Sequence, residues 1–107
     1  MQQLFVYGSL APGRSHHHLL SNLRGRWQPA TVRGHLYPQG HWATRGWPAL
    51  KPDPQGSVIE GFLLTSPELG RHWKILDNYE GLFYRRIKYP VQLADGTVRR
   101  VWLYRQR

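Results

Sequence analysis

The 107-residue chain has no cysteine and only six acidic residues. Without cysteine it can form neither disulfides nor thiolate metal sites, which fits a reducing compartment. It also lacks a basic-then-apolar leader at the N-terminus, and its apolar runs are too short to cross a bilayer. We therefore expect a soluble, cytoplasmic protein with no membrane association. Its length supports one core, so we expect a single domain over residues 1–107.

The scarcity of acids leaves a strong positive charge, with 15 Lys and Arg against 6 Asp and Glu and a net charge of +9. Such a charge attracts anionic metabolites and nucleic acids. The basic residues are spread along the chain without a block of five like charges, which favours a solvated basic surface over a specific nucleic-acid site. A basic nucleic-acid-binding module remains an alternative on charge alone.

The N-terminal stretch Leu4-Phe5-Val6-Tyr7 runs directly into Gly8-Ser9-Leu10. A short apolar run that ends in turn residues predicts a strand buried on both faces. Ser15 can cap a helix over residues 15–24, which Gly25 stops. The turn between strand and helix could then gather backbone N–H groups around a carboxylate or an oxyanion. An ordinary strand exit is the alternative for these residues.

Three consecutive histidines, His16, His17 and His18, lie inside this predicted helix. Consecutive helical residues point in different directions and cannot bind one ion together. No carboxylate lies within a turn to complete a site. We expect surface or pocket-rim histidines and no metal.

The rest of the chain predicts five strands and a second helix. The strands cover residues 27–36, 40–50, 58–65, 83–93 and 97–104. Gly34 and Gly61 read as bulges that help a sheet curl towards a barrel. Asp95-Gly96 is the signal for a two-residue hairpin between the last two strands. The element order is therefore β-α-β-β-β-α-β-β.

The second helix begins at Ser66-Pro67-Glu68 and ends at Gly81. An apolar stripe follows one face at helical spacing, through Leu69, Trp73 and Leu76. This stripe predicts that the helix docks on the core.

Four of the six acids have an ordinary structural explanation. Glu68 starts the helix, Glu60 fits the polar side of a strand, and Asp53 and Asp95 sit in turns. Asp77 and Glu80 remain, at a helix end where the macrodipole disfavours negative charge.

Glu80 continues the apolar stripe of the second helix, which favours an inward direction for its side chain. Desolvation would raise the pKa of an inward carboxyl towards the value that a general base needs. A salt bridge to Arg85 or Arg86 is the alternative for either acid.

The stretches 5–13 and 76–85 resemble the γ-glutamylcyclotransferase-like family, which includes γ-glutamylamine cyclotransferases and AIG2-like relatives. The resemblance extends over nearly the whole chain, through Gly34-His35-Leu36-Tyr37, Trp47-Pro48-Ala49-Leu50 and the strand that starts at Val58. It implies an α+β fold, a small mixed β-barrel with two main helices and a cavity.

The resemblance also implies the site residues. The family's catalytic glutamate corresponds to Glu80, and Tyr84 lines the site. Tyr7, Gly8, Ser9 and Leu10 would bind the α-amino and carboxylate end of the substrate through the backbone.

The implied activity is that of a γ-glutamyl cyclotransferase, an enzyme of the lyase or acyltransferase type. The α-amine of a γ-glutamyl amide attacks the side-chain carbonyl, and 5-oxoproline and a free amine or amino acid leave. Glu80 serves as general acid and base, and we expect neither metal nor cofactor. The expected partner is the small-molecule γ-glutamyl substrate, with the protein a monomer or a homodimer.

A non-catalytic protein of the same fold that binds a small metabolite is the alternative. The combination of Glu80 with the glycine loop favours the enzyme. The chain departs from the family pattern at Ser15 to His18, where many relatives have Asn-His. This departure leaves the identity of the leaving amine open.

Overall fold

The computed structural model describes residues 2–7, 17–37, 49–82 and 84–107. Its strands are β1 Gln2–Val6, β2 Arg26–Tyr37, β3 Ala49–Pro52, β4 Ser57–Ser66, β5 Tyr84–Leu93 and β6 Val98–Gln106. Its helices are α1 His18–Ser21 and α2 Trp73–Glu80, with a 3-10 turn at Leu69–Arg71. The predicted order of strands and helices is confirmed. In these ranges, no helix has the length and apolar character needed to cross a membrane.

Five strands form a closed mixed barrel in the order β2-β4-β1-β6-β5. The pairs Ala30↔Leu93 and Thr31↔Gln92 between β2 and β5 close it. Farther along β2, the same edge pairs with β3. The β1–β6 pair is parallel and the others are antiparallel. The expected α+β fold with a small mixed barrel is confirmed.

Strand β1 is buried on both faces, as predicted, with Leu4, Phe5 and Val6 at most 4% exposed. Phe5 points into the barrel interior, where it packs with aliphatic side chains of the other strands. Leu4 and Val6 point outward, into a second core between the barrel and the helices. Because both faces are packed, the C-terminal end of β1 is held in place where Tyr7 follows.

The first helix is shorter than predicted, because α1 is a single turn at His18–Ser21 rather than a helix over 15–24. His17 precedes it without a side-chain capping bond. A helix this short is held by tertiary packing, here through the buried side chains of Leu20 and Leu23. Ser15 and His16 lie outside the described residues.

The second helix also begins later than predicted. The Ser66 hydroxyl accepts the Glu68 N–H at 3.0 Å, but a 3-10 turn follows and α2 begins only at Trp73. In an α-helix the His72 N–H would donate to the Glu68 carbonyl oxygen. Here the ring nitrogen His72 Nδ1 lies 3.1 Å from that oxygen. That N–H instead bonds the Leu69 carbonyl at 2.9 Å.

Gly34 and Gly61 are not bulges, because the β2–β4 ladder runs in one register from Arg26↔Thr65 to Gly34↔Ser57. Their role is close approach. A Cβ on Gly61 would lie 2.6 Å from Cζ of Phe5, and a Cβ on Gly34 would lie 2.6 Å from the Lys51 carbonyl oxygen. Glycine at these positions lets neighbouring strands pack without a clash.

The hairpin between β5 and β6 exists as predicted, but its loop has three residues, 94–96, instead of two. The Leu93 N–H bonds the Thr97 carbonyl at 2.8 Å, and the Gly96 N–H bonds the Leu93 carbonyl at 3.0 Å. Gly96 has a φ of +89°, which suits the left-handed position of a three-residue loop. The added residue shifts the register by one, so Arg86 pairs with Tyr104.

We predict that Gly61→Ala lowers the free energy of unfolding by about 1–3 kcal/mol, because the new methyl group would clash with the backbone carbonyl oxygen of Val6 and with the ring of Phe5. Urea unfolding measures the change. Gly70→Ala is the matched control, since a Cβ there meets nothing within 4 Å. The control should change stability by less than about 1 kcal/mol. Equal losses in both variants would contradict the packing argument.

Candidate active site

Glu80 is the last residue of α2, and Gly81 with a φ of +77° turns the chain out of the helix. Leu76, one turn earlier, is fully buried and fixes the inner face of the helix. Glu80 is half-buried at this inner end. Burial raises the pKa of Glu80 to about 7, and the Asp77 carboxylate adds to the increase.

Tyr7 lies just beyond β1, and its hydroxyl donates a hydrogen bond to the Tyr104 carbonyl at 2.6 Å. Burial raises the pKa of Tyr7 well above 10, and electrostatic interactions with the Glu80 carboxyl and the Tyr84 phenol raise it further. A hydrogen bond from the Leu50 backbone acts in the opposite direction. The phenol of Tyr7 therefore stays protonated and close to the Glu80 carboxyl.

Tyr84 begins β5 and packs against the outer core that also contains Tyr104. The structure thus brings Tyr7, Glu80 and Tyr84 together from three different elements. Gly8, Ser9 and Leu10 lie outside the described residues, so the predicted backbone cup stays a prediction.

The salt bridge to Arg86, which was the alternative for either acid, is formed by Asp77. Arg86 donates two hydrogen bonds to the Asp77 carboxylate, from Nε to Oδ1 at 3.0 Å and from Nη2 to Oδ2 at 3.2 Å. The Tyr104 hydroxyl donates a third bond to Oδ1 at 2.6 Å. Burial pushes the pKa of Asp77 upward, but the bonds from Arg86 and Tyr104 outweigh it and hold the pKa below its usual value.

Arg86 packs against two tryptophan rings. Its guanidinium carbon is 4.3 Å from the ring centroid of Trp73 and 4.5 Å from that of Trp102. The two rings meet edge to face with their centroids 6.0 Å apart, so the guanidinium packs against both of them and bonds Asp77 from there.

Sequence reasoning missed the part that Tyr104 and Trp102 play here. Their alternation along β6 places both on one face, which was a usable signal. Their position opposite Arg86 and Lys88 depends on the hairpin register, which a two-residue loop would have shifted by one. The missing information was therefore the loop length.

The two carboxyls of α2 differ in their proton affinity. Asp77 stays ionised against Arg86, whereas Glu80 can gain or lose a proton near neutral pH. Two acids whose environments push their pKa values apart are typical of acid–base sites. Across the described ranges, no group of three histidine or acidic side chains is placed to hold a metal ion.

Solved structures of low sequence identity share the fold. An AIG2-like protein of Mus musculus matches with a TM-score of 0.74 at 22% identity, over 99% of this chain and 77% of the mouse protein. A γ-glutamyl cyclotransferase matches with a TM-score of 0.71 at 18% identity, over 99% of this chain and 66% of the other.

YkqA of Bacillus subtilis matches with a TM-score of 0.73 at 23% identity, over 99% of this chain. This chain spans only 36% of the length of YkqA. No curated protein sequence matches the chain. The sequence model described as gamma-glutamyl cyclotransferase, AIG2-like, matches residues 4–107. The chain therefore belongs to the AIG2-like gamma-glutamyl cyclotransferase family.

Proposed function

We propose that this protein is a γ-glutamyl cyclotransferase that releases 5-oxoproline and a free amine from a γ-glutamylamine. The observation that carries the proposal is the half-buried Glu80, whose pKa of about 7 suits proton transfer in both directions. Family membership supports the reaction class, and one solved structure of the same fold is itself named a γ-glutamyl cyclotransferase.

The reaction needs a base and an acid at one place. The Glu80 carboxylate removes a proton from the α-ammonium group of the substrate. The free amine attacks the γ-carbonyl carbon, a five-membered ring closes, and the carbonyl oxygen gains negative charge. Glu80 then returns its proton to the leaving nitrogen as the amide C–N bond breaks and the carbonyl re-forms. The extra proton that attack leaves on the ring nitrogen is taken up by the Glu80 carboxylate and passes to the released amine, which leaves as its ammonium form. The substrate supplies its own nucleophile, so proximity is built into it.

In this proposal the substrate's carboxylate and α-amino end bind the backbone of Tyr7, Gly8, Ser9 and Leu10, and Tyr84 lines the opposite side. Tyr7 contributes a neutral wall, because its hydroxyl proton is already donated to the Tyr104 carbonyl. Its raised pKa keeps a second negative charge away from Glu80. A buried, neutral wall favours the uncharged amine and the uncharged carboxylic acid, which are the forms that the first proton transfer produces.

We predict that Glu80→Gln reduces 5-oxoproline release by at least about 10²-fold, because the amide cannot transfer the proton. The assay measures 5-oxoproline from a panel of γ-glutamylamines and γ-glutamyl dipeptides. Asp95→Asn is the charge-matched control, since Asp95 lies in the hairpin loop and caps Thr97. A Glu80→Gln protein that turns over the best substrate at the native rate would contradict the role of Glu80.

We predict a pH-dependent gain in stability for the same variant. The folded-state pKa of Glu80 lies above its ordinary value of 4.5, so the folded protein binds more protons than the unfolded chain between these values. Native stability contributed by this group is full below pH 4.5 and lost as the pH rises through about 7.

Glu80→Gln lacks this loss, because its amide does not titrate. Relative to the native protein, its free energy of unfolding should rise by up to about 3 kcal/mol between pH 4.5 and 7.5, at about 1.4 kcal/mol per pKa unit. Urea unfolding at several pH values measures the difference. A difference that stays constant over this window would show that Glu80 titrates as an ordinary exposed acid.

A further inference from the structure

Asp77 and Glu80 are three residues apart on α2, so their side chains are neighbours on one face of the helix. Two like charges at this spacing repel each other. Asp77 lies nearer to solvent, with its side chain 44% exposed, and Glu80 lies at the inner end. The Asp77 carboxylate therefore lies beside Glu80, on its solvent side.

The position of the Asp77 charge is fixed by more than one partner. Arg86 bonds both carboxylate oxygens, and the rings of Trp73 and Trp102 pack against Arg86. The Tyr104 hydroxyl binds Oδ1 from the side of β6. A surface salt bridge of ordinary kind would not need a buried phenol and two indole rings to hold it. These contacts keep the Asp77 carboxylate ionised beside Glu80.

Other groups face Glu80 from the elements packed against it. They are Tyr7 beyond β1, Tyr84 on β5 and Tyr104 on β6, together with Asp77 on α2. The tyrosines beside it whose pKa values are resolved, Tyr7 and Tyr104, both have them raised, so these phenols remain neutral. Among these groups in the described part of the chain, Asp77 carries a negative charge at neutral pH, and Arg86 is the cation bound to it. Even with Arg86 bound, the Asp77 charge raises the pKa of Glu80.

We propose that Asp77 is a positioning residue, whose negative charge acts on the proton that Glu80 carries. Its carboxylate, held in place by Arg86 and Tyr104, helps Glu80 to keep the proton that it takes from the α-ammonium group until the leaving nitrogen receives it. The catalytic consequence rests on the proposed cyclotransferase activity, whereas the electrostatic coupling does not. The leaving nitrogen would otherwise depart as a poor, unprotonated leaving group.

The experiment follows the Glu80 carboxyl directly. Carbon-13 NMR of side-chain carboxyls gives its titration midpoint, and the signal is assigned by its absence in Glu80→Gln. Asp77→Asn removes the charge, while Asp77→Glu keeps the charge and alters the fit to Arg86 and Tyr104. Asp95→Asn is the remote control, at the far end of β5, about 30 Å away at about 3.3 Å per residue.

We expect Asp77→Asn to lower the Glu80 midpoint by roughly 0.5 to 1 pH unit, and Asp77→Glu and Asp95→Asn to leave it unchanged. The acid limb of kcat/KM should move to lower pH by the same amount. Asp77→Ser gives a second neutral variant if the asparagine variant does not fold. An unchanged midpoint in the neutral variant that folds would overturn the proposal. So would an equal shift in Asp77→Glu, because packing would then be the cause.

The two proposals fail separately in this design. A midpoint that shifts in a protein without turnover would support the coupling and remove the assigned activity. Turnover that depends on Glu80, with a midpoint indifferent to Asp77, would leave the activity and remove the coupling.

Discussion

Tyr104 connects three elements of the site through two hydrogen bonds. Its backbone carbonyl accepts the Tyr7 hydroxyl that follows β1, and its own hydroxyl donates to Asp77 on α2. Tyr104 lies in β6 and is 4% exposed, so both bonds start from a residue that is itself buried. The end of β1 and the end of α2 are therefore held at a fixed separation, which keeps Glu80 beside Tyr7. Without these two hydrogen bonds, neither Glu80 nor the Tyr7 phenol would be held in its position.

Much of the fold could be predicted from local patterns. The run Leu4-Phe5-Val6 has no polar face, and only a strand packed on both sides accommodates it. The stripe of Leu69 and Leu76 predicted which side of the second helix faces the core, and the inward place of Glu80 follows from the same spacing. The family resemblance added the barrel, which no local pattern specifies.

The features that were wrong or missed depend on contacts between distant residues. A one-residue difference in the loop before Thr97 decides which β6 side chains face α2, and loop length is not encoded by Asp95-Gly96 alone. The late start of α2 goes with 3-10 backbone bonds, from the Arg71 N–H to the Glu68 carbonyl and from the His72 N–H to the Leu69 carbonyl, and the ring of His72 also lies against the Glu68 carbonyl. Gly34 and Gly61 read as bulges in isolation, whereas close approach by Lys51 and Phe5 explains them. Such contacts exist only once the barrel has closed.

A crystal structure of the protein with 5-oxoproline bound tests the central claim most directly, because it shows whether the bound product contacts Glu80. The account predicts that the ring N–H of the product lies within roughly 2.6–3.2 Å of a Glu80 carboxyl oxygen. It also predicts that the product carboxylate contacts the backbone of residues 8–10. A product bound away from Glu80, or a Glu80 side chain turned out to solvent with the product in the barrel mouth, would contradict the account.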